Sequence, residues 1–454
     1  MNIIIAGIGK LGKYLAKQLV KENNNVTVID LNFTGKENFI NDEDLNYIEG
    51  NALDIETLKE AGIEKADLLI AVMKNDLENI MCLLIGKKLG VKNTIARIRN
   101  PEYNDSINLL KKELGLSMII NTEVLTASKI TQELSIPSAL NVTNCLKGKI
   151  DVVSLKIKED SILLNKTLKE LKNKLKDNII ICAIERKNKI MVPNGDTVLA
   201  INDKLYITGK RNNINNFLRY AGFIGNKTKK VIIGGGADSA IYLTKMLEET
   251  GTKVTIIEGD EKRCKFLNEK LPKTLIIHGD ISNQNILYEE GIENADAFVS
   301  LTSIDEENLI YSIFASSLNV KKVITKINHI NLDGVIEKAN IDTVITPHKI
   351  AANQVVRYIR AIKAGEGSSC EAIYQINENL ELTEYKVNKD FKFIQIPIKK
   401  LQFQDQVLIC AIQRGKNIIY PSGEDEIKLN DTLLIINNSD SFTELEELVK
   451  IYEK

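Results

Sequence analysis

The sequence predicts an α/β protein made of two doubly wound parallel-sheet domains, each followed by a small α+β lobe. Three observations predict it. Short apolar runs alternate with helical patterns, which implies βαβ crossovers and a parallel sheet. An apolar run enters a glycine turn twice, as IIIAGIGKLG over 3–12 and KVIIGGGADS over 230–239. Matching signposts then follow in matching order. VTVID ends at Asp30 and VTIIE at Glu258; GIEKAD begins at residue 62 and GIENAD at 291; ICAIERKNKIMVPNGD begins at 181 and ICAIQRGKNIIYPSGE at 409. The spacing stays at 228 or 229 residues, the signature of a tandem duplication.

In the first copy, strands are expected at Ile3–Ala6, Val26–Ile29, Leu68–Val72, Thr94–Ile98 and Met118–Ile120. Helical spacing appears in Leu11, Leu15, Leu19 and Val20 after the glycine turn, and in Ile80, Leu83, Leu84 and Leu89 after Asp76. Thr122–Ser135 reads as a helix leaving the sheet, stopped by Pro137. From about Asn141 the pattern changes: Asp151–Ile157 alternates, and Asn178–Ile184 and Lys189–Val192 are apolar strands. A turn at 193–196, a strand at Lys204–Thr208 and a terminal helix at Asn212–Tyr220 complete a lobe of about 80 residues. Residues 224–229 form a short polar linker. The second copy repeats the plan, with the matching turn at 421–424 and a small, flexible stretch at 364–369. The expected boundaries are 1–138 and 228–364 for the sheet domains, and 139–223 and 368–454 for the lobes.

Composition narrows the function. Sixty basic residues balance 61 acidic ones, which gives no footprint for nucleic acid. No apolar run approaches the roughly 18 residues of a membrane span. The first strand begins at once, so no secretory signal is expected. The six cysteines are scattered in apolar runs and read as buried thiols of a reducing cytosol rather than disulfides or metal ligands. The three histidines all lie in the second copy, and none has a partner at a catalytic spacing. No HExxH, GxSxG or Walker A motif occurs, so the expectation is no catalytic residue, no metal and no enzyme.

Gly7-Ile8-Gly9-Lys10-Leu11-Gly12 matches GxGxxG between a strand and a helix, and Asp30 supplies an acid at the end of the second strand. Gly7 makes the tight turn, Gly9 lets the backbone approach a pyrophosphate and Gly12 lets helix and strand pack closely. The helix N-terminus offers unsatisfied N–H groups to phosphate. Asp30 would accept from ribose hydroxyls, which favours NAD over NADP. In the second copy, Gly234-Gly235-Gly236-Ala237-Asp238-Ser239 is read with Gly234 and Gly236 as the first two glycines, Ser239 as the third and Glu258 as the acid. Asp238 suits the helix dipole but would repel a diphosphate facing it.

Further residues carry a family resemblance. Gly50-Asn51 and Gly279-Asp280 follow the third strands. After the fourth come residues 71–76 with Glu78-Asn79, echoed by residues 300–308, and ARIRNPEY occupies 96–103. With the glycine turns, these resemble the RCK family, the regulators of potassium conductance, also called KTN domains. The small lobes resemble RCK C-terminal domains. The resemblance implies a ring of RCK domains, four chains forming a pseudo-eightfold ring of N-lobes. That ring would be peripheral on the cytoplasmic face of a membrane potassium translocator of the TrkH/TrkG type. It would bind NAD(H), ADP or ATP and gate the translocator through its change of shape. By matching positions, Gly7, Ile8, Gly9, Lys10 and Leu11 would hold pyrophosphate and Asp30 ribose. Met73 and Lys74 would line the crevice, and Arg97 would reach toward phosphate. Gly234, Gly235, Gly236, Ala237, Asp238, Glu258, Thr302, Ser303 and Lys326 are the matching set in the second copy. Asn51 stands where the family carries Asp, and Asp280 keeps it. The alternatives are an NAD-dependent oxidoreductase with a duplicated cofactor domain, or an RCK regulator of another cation transporter.

Overall fold

A computed structural model describes the chain except residues 33–44, 101–102, 104–114, 137–138, 175–178, 188, 224–227, 329–340, 342, 366–368, 378–379, 405, 438–444 and 453–454. Unit one begins with β1 (Asn2–Ala6), α1 (Lys10–Lys21), β2 (Asn25–Asp30), β3 (Leu45–Glu49), α2 (Ile55–Glu60) and β4 (Leu68–Ala71). It continues with α3 (Asp76–Lys88), β5 (Asn93–Arg97), β6 (Met118–Ile120) and α4 (Thr122–Ser135). The six strands are parallel in the order β3-β2-β1-β4-β5-β6. That is the Rossmann order, and its switch point lies between β1 and β4, where ligands of such sheets bind. The sequence expectation set β3 before Gly50 without a range, since exposed Asn46, Tyr47 and Glu49 weaken its apolar signal.

The first lobe contains β7 (Asn141–Cys145), β8 (Ile150–Lys156), α5 (Leu168–Lys174), β9 (Ile179–Arg186), β10 (Lys189–Met191), β11 (Lys204–Gly209) and α6 (Arg211–Tyr220). Its sheet is antiparallel, ordered β10-β9-β11-β8-β7. Ile214, Phe217 and Leu218 of α6 bury against it.

Unit two repeats the sheet domain as β12 (Lys230–Gly234), α7 (Asp238–Glu249), β13 (Lys253–Glu258), α8 (Glu261–Lys270), β14 (Leu275–His278), α9 (Gln284–Glu289) and β15 (Ala297–Ser300). It ends with α10 (Asp305–Ser317), β16 (Lys322–Lys326), β17 (Thr343–Ile345) and α11 (Pro347–Gly365). The strand order is again 3-2-1-4-5-6 within the unit. The expected flexible break at 364–369 begins inside α11, and 366–368 lie outside the described residues.

The second lobe departs from the expectation that it copies the first. It has β18 (Cys370–Asn377), β19 (Leu380–Lys386), β20 (Leu401–Phe403), β21 (Leu408–Arg414), β22 (Asn417–Ile419), β23 (Thr432–Asn437) and β24 (Val449–Tyr452). Where the first lobe carries α5, the second has a 3-10 turn at Ile398–Lys400 followed by β20, which pairs with β24; of the segment matching α6, residues 438–444 lie outside the described residues and Leu445–Leu448 form a 3-10 turn. The turn at 193–196 and its match at 421–424 are common to both, and so is an ion pair beyond the turn, Arg186 with Asp203 and Arg414 with Asp431.

The two units are joined by a reciprocal exchange of helices. The core of sheet one is closed by Ala351, Ala352, Val355, Val356 and Ile359 of α11, packed on Ile3, Ile5, Leu11, Leu15 and Leu19. The core of sheet two is closed by Ala127, Ile130 and Leu134 of α4, packed on Val231, Ile241, Leu243 and Leu247. Each fully buried Val, Leu or Ile side chain in this exchange contributes roughly 1.5–3 kcal/mol. The lobes also share a core, with Leu146, Val152, Ala183 and Tyr206 meeting Tyr374, Leu382, Ala411 and Leu434. The halves are thus related by a quasi-two-fold within one chain. All six cysteines are free and buried, three of them (Cys145, Cys182, Cys410) in that shared core.

Two outcomes are expected from the exchange. Ile359→Ala, in a residue of unit two that is 0% exposed, should cost about 2–5 kcal/mol in urea unfolding because it leaves a cavity in the core of sheet one. A fragment ending at residue 223 lacks α11, so light scattering should find it as a dimer trading α4 between copies; a folded monomer would contradict the exchange.

Candidate functional site

The crevice of each unit is built at the carboxyl ends of its central strands. In unit one, β1 ends at Ala6 and the chain turns at Gly7, whose φ is +97°. A Cβ on Gly7 would lie 2.8 Å from the backbone nitrogen of Met73, so only glycine fits. The Gly7 N–H donates to Ile29 O at 2.8 Å. The turn is pinned from β2, because the Ile8 N–H donates to Asp30 Oδ2 at 2.7 Å and the Asn32 N–H to Oδ1 at 3.2 Å. Asp30 therefore holds the turn, and a carboxylate keeps acceptor capacity beyond two bonds.

The same geometry in unit two corrects the register read from the sequence. Gly235, not Gly234, is the turn residue: its φ is +97°, its N–H donates to Ile257 O at 2.9 Å, and its Cβ position lies 2.8 Å from Thr302 N. The Gly236 N–H donates to Glu258 Oε2 at 2.6 Å, as Ile8 does to Asp30. Gly234 ends β12, and a Cβ there would strike Ile281 rather than line the turn. The equivalents of Gly7, Gly9 and Gly12 are thus Gly235, Ala237 and Ala240, and Ser239 does not stand for the third glycine. A Cβ on Gly12 would collide with the Gly7 carbonyl. Ala240 carries one, and its helix starts differently: the Ala240 N–H donates to Ala237 O at 2.9 Å, whereas in unit one the Lys13 N–H donates to Gly9 O.

Side-chain caps are present at some helix starts and missing at others, including Lys210 before α6 and Ile304 before α10. Asn75 and Asn121 cap α3 and α4 with their side chains. Gly9 before α1 and Ala237 before α7 cap nothing, so the first-turn amides meet no side-chain acceptor there. Unclaimed amides with the dipole behind them suit an anion.

A matched pair of asparagines fixes the far wall, a role the sequence reading did not assign. Asn79 is 0% exposed: its Nδ2 donates to Met73 O and Arg97 O, and its Oδ1 accepts the Met73 N–H at 2.8 Å. Asn308 does the same for Thr302 and Lys326. Each asparagine thereby ties the loop after the fourth strand to the end of the fifth.

Arg97 and Lys326 do not reach into the crevices as expected. Arg97 Nη2 donates to Met73 O at 2.5 Å, and burial draws its pKa down to about 10, with Arg99 adding to the effect and Asp76 and Glu123 opposing it. Lys326 Nζ donates to Leu301 O at 3.2 Å, and burial lowers its pKa against the pull of Glu123 and Asp305. Both cations brace the loops from behind. Asn51 and Asp280 make one turn in two chemistries, with Oδ1 accepting from the Leu53 and Ser282 N–H groups respectively. Lys74 O accepts from Arg99 Nη2, and the Lys74 side chain lines a cleft between the units.

The unit-two crevice has a volume of about 770 Å³. Gly235, Gly236, Ala237, Glu258, Asp280, Thr302 and Ser303 line it, so seven residues singled out from the sequence converge there. Arg263 and His278 join them without having been foreseen. Arg263 lies in a run of charged residues that reads as a solvated helix face, but its Nε donates to Gly236 O at 2.6 Å and its Nη2 to Asp238 at 2.7 Å. His278 Nε2 sits 3.1 Å from Gly259 O. His348 contacts Tyr14, and His329 lies outside the described residues.

Among the described residues no helix is long and apolar enough to cross a membrane, and no group of three His, Cys, Asp or Glu is placed to hold a metal. Asn79→Leu should strand Met73 N and Arg97 O, while Met73 O keeps its bond from Arg97 Nη2. At about 1–3 kcal/mol per stranded group, chemical denaturation should show a loss of several kcal/mol, and a loss below about 1 kcal/mol would refute the clamp.

Comparison with known proteins accords with this architecture. The TrkA-N domain model matches residues 3–122 and 231–347, and the TrkA-C domain model matches 152–222 and 382–450. A Trk system potassium uptake protein TrkA homolog of Archaeoglobus fulgidus is 30% identical over 99% of this chain and all of its own length. The Trk system potassium uptake protein TrkA of Haemophilus influenzae is 29% identical over 99% of this chain and 98% of its own. Among solved structures, the GsuK RCK domain superposes with a TM-score of 0.61 at 16% identity, covering 97% of this chain and 92% of that one. The GsuK channel bound to NAD gives 0.61 at 17% identity over 97% and 77%. With two TrkA-N and two TrkA-C domains in tandem and full-length similarity to its relatives, the chain belongs to the TrkA family of Trk system potassium uptake proteins.

Proposed function

We propose that this chain is the cytoplasmic, peripheral regulatory subunit of a potassium uptake system. It binds NAD(H), ADP or ATP in its two crevices and gates a membrane translocator of the TrkH/TrkG type. Its working units are the segments 1–138, 139–223, 228–364 and 368–454. The observation that carries the reading is the duplicated glycine turn. Each copy is pinned to the acid at the end of its second strand and opens an uncapped helix, so that amides and a carboxylate face one crevice. A phosphate on the amides and a ribose on Asp30 or Glu258 would use both. Family membership supports a regulatory role over the oxidoreductase alternative. A nucleotide shifts such a protein only through different affinities for its two shapes.

Surface chemistry supports assembly into a ring. Met81 on α3 and Ile310 on α10 hold equivalent positions and are 53% and 62% exposed; Leu77 and Ile313 extend the two patches. One apolar patch on each unit gives every chain two places to join its neighbours, and a closing rotation makes a ring. The expectation is four chains.

Two measurements test the proposal. Asp30→Ala should weaken NADH binding about 10–100-fold by fluorescence titration, the loss of bonds to a charged acceptor. Asp30→Ala combined with Glu258→Ala should blunt potassium uptake in transport-deficient cells carrying the translocator; full uptake from that chain, once titration shows that it binds no nucleotide, would remove the gating role. Met81→Asp combined with Ile310→Asp should reduce the assembly to single chains by light scattering, and an unchanged mass would place the ring interface elsewhere.

A further inference from the structure

We propose that the second crevice acts on the first lobe, and that Lys322 is the positioning residue that carries the state of the crevice there. This deepens, and rests on, the nucleotide-binding reading above.

Strand β16 joins the two places. At its carboxyl end Lys326 Nζ donates to Leu301 O, and Asn308 Nδ2 donates to Lys326 O. That end is therefore fixed to the loop that lines the second crevice. All five residues of the strand are buried, with β15 on one side and β17 on the other. At its amino end Lys322 Nζ donates to Ala139 O at 2.6 Å. Beside it, Thr343 Oγ1 of β17 donates to Leu140 O at 3.0 Å, and the Leu140 N–H donates to Ser154 O of β8. Two side chains of sheet two thus hold the first residues of a lobe that belongs to unit one.

The same residues are gripped from α4. Lys129 Nζ donates to Asn141 Oδ1 and Val142 O, and the Val142 N–H donates to Glu133 Oε1 at 3.1 Å. The outer edge of β7 is therefore paired with side chains instead of a strand. Glu133 is 0% exposed; Lys129 lies 2.8 Å from one of its oxygens and Lys322 3.9 Å from the other. Buried charges of this kind tolerate little displacement, because a shifted group loses its partner where water cannot replace it. A movement of β16 along its axis draws the start of the lobe with it.

Unit one has no such link among the described residues. Its fifth strand begins at Asn93, which pairs with Leu68 as Lys322 pairs with Ala297. Asn93 Nδ2 donates within its own unit, to Asp67 O. Thr343 pairs with Ile324, and the matching partner of Ile95 is Met118, whose side chain has no polar hydrogen to donate. The two copies share the turn, the acid and the asparagine clamp, and they differ in this grip on a lobe. A ligand that prefers one shape of the second crevice shifts lobe one by that preference.

Hydrogen exchange on the full chain, with and without saturating NADH and then ATP, tests the link. In the unaltered chain, nucleotide should change exchange over residues 139–156 by about fivefold or more, the lower end of ordinary coupling. Glu258→Ala should abolish that response, and Asp30→Ala should leave it. Lys322→Met frees Ala139 O but leaves Glu133 paired with Lys129. It should abolish the response of lobe one while calorimetry still finds nucleotide bound and the turn at Gly235 still responds. Lys322→Arg, which can still donate, should restore it. A merely structural lysine would instead alter exchange equally with and without nucleotide. Thermal unfolding recorded alongside separates a lost grip from a lost fold; if Lys322→Met does not fold, the contrast between Glu258→Ala and Asp30→Ala decides. A full response of lobe one in folded Lys322→Met, its loss in Asp30→Ala but not in Glu258→Ala, or a nucleotide that binds without altering lobe one would overturn the link. Absence of any nucleotide binding by the unaltered chain would instead overturn the functional reading beneath it.

Discussion

Neither sheet of this protein is finished by its own half of the chain. The helix that leaves each sheet crosses to cover the other, so the apolar face over β1 and α1 is closed chiefly by α11 and that over β12 and α7 by α4, while Leu125 of α4 and Ile350 of α11 still touch the sheets they leave. Most other features depend on this reciprocity. It buries charged groups at the crossing points: Lys322 donates to Ala139 O at 2.6 Å with Glu133 near it, and Arg360 pairs with Glu22 at 2.5 Å. Buried pairs of this kind add little net stability but punish misalignment, because a slipped register leaves a charge unpaired. The exchange thus fixes how the halves meet as well as holding them together.

The crevices sit at the roots of the exchanged helices, and that placement makes them suited to sensing. In unit one a short path runs from the ligand side to the exchanged helix. The glycine turn lies against Met73, Met73 is tied by Asn79 to the end of β5, β5 pairs with β6, and β6 leads into α4. Unit two repeats it through Thr302, Asn308, β16, β17 and α11. Each link is a backbone contact or a buried hydrogen bond with little slack. A ligand that displaces the turn therefore acts on the helix that closes the opposite sheet.

Much of this was legible in the sequence, and the failures have physical causes. Strand and helix periodicity, the first glycine turn and the departing helix at Thr122–Ser135 all carry local signals, and the structure places them as expected; Asp30 and Glu258 end their strands as read, and there they hold the turn amides. The second glycine motif was misread by one residue because three consecutive glycines permit two registers; only the positive φ of Gly235 and its approach to Thr302 decide between them. The directions of Arg97 and Lys326 depend on which carbonyl lies behind them, a tertiary fact. The second lobe keeps its ICAI strand and its turn but has β20 of a β20–β24 ribbon where the first lobe has α5, so shared motifs hid a changed periphery. The destination of the exchanged helices had no sequence signal, since an apolar face does not say which sheet it covers.

Duplication within one chain lets the two crevices diverge while the closure they share stays intact, and a symmetric pair of identical chains has no such freedom. The central claim is that nucleotide occupancy is transmitted through the exchanged helices. Hydrogen exchange on the full chain, with and without nucleotide, tests it most directly. The account predicts that amide protection in α4 and α11 changes together with that of the glycine turns. Protection confined to the turns, with both exchanged helices unaffected, would contradict it.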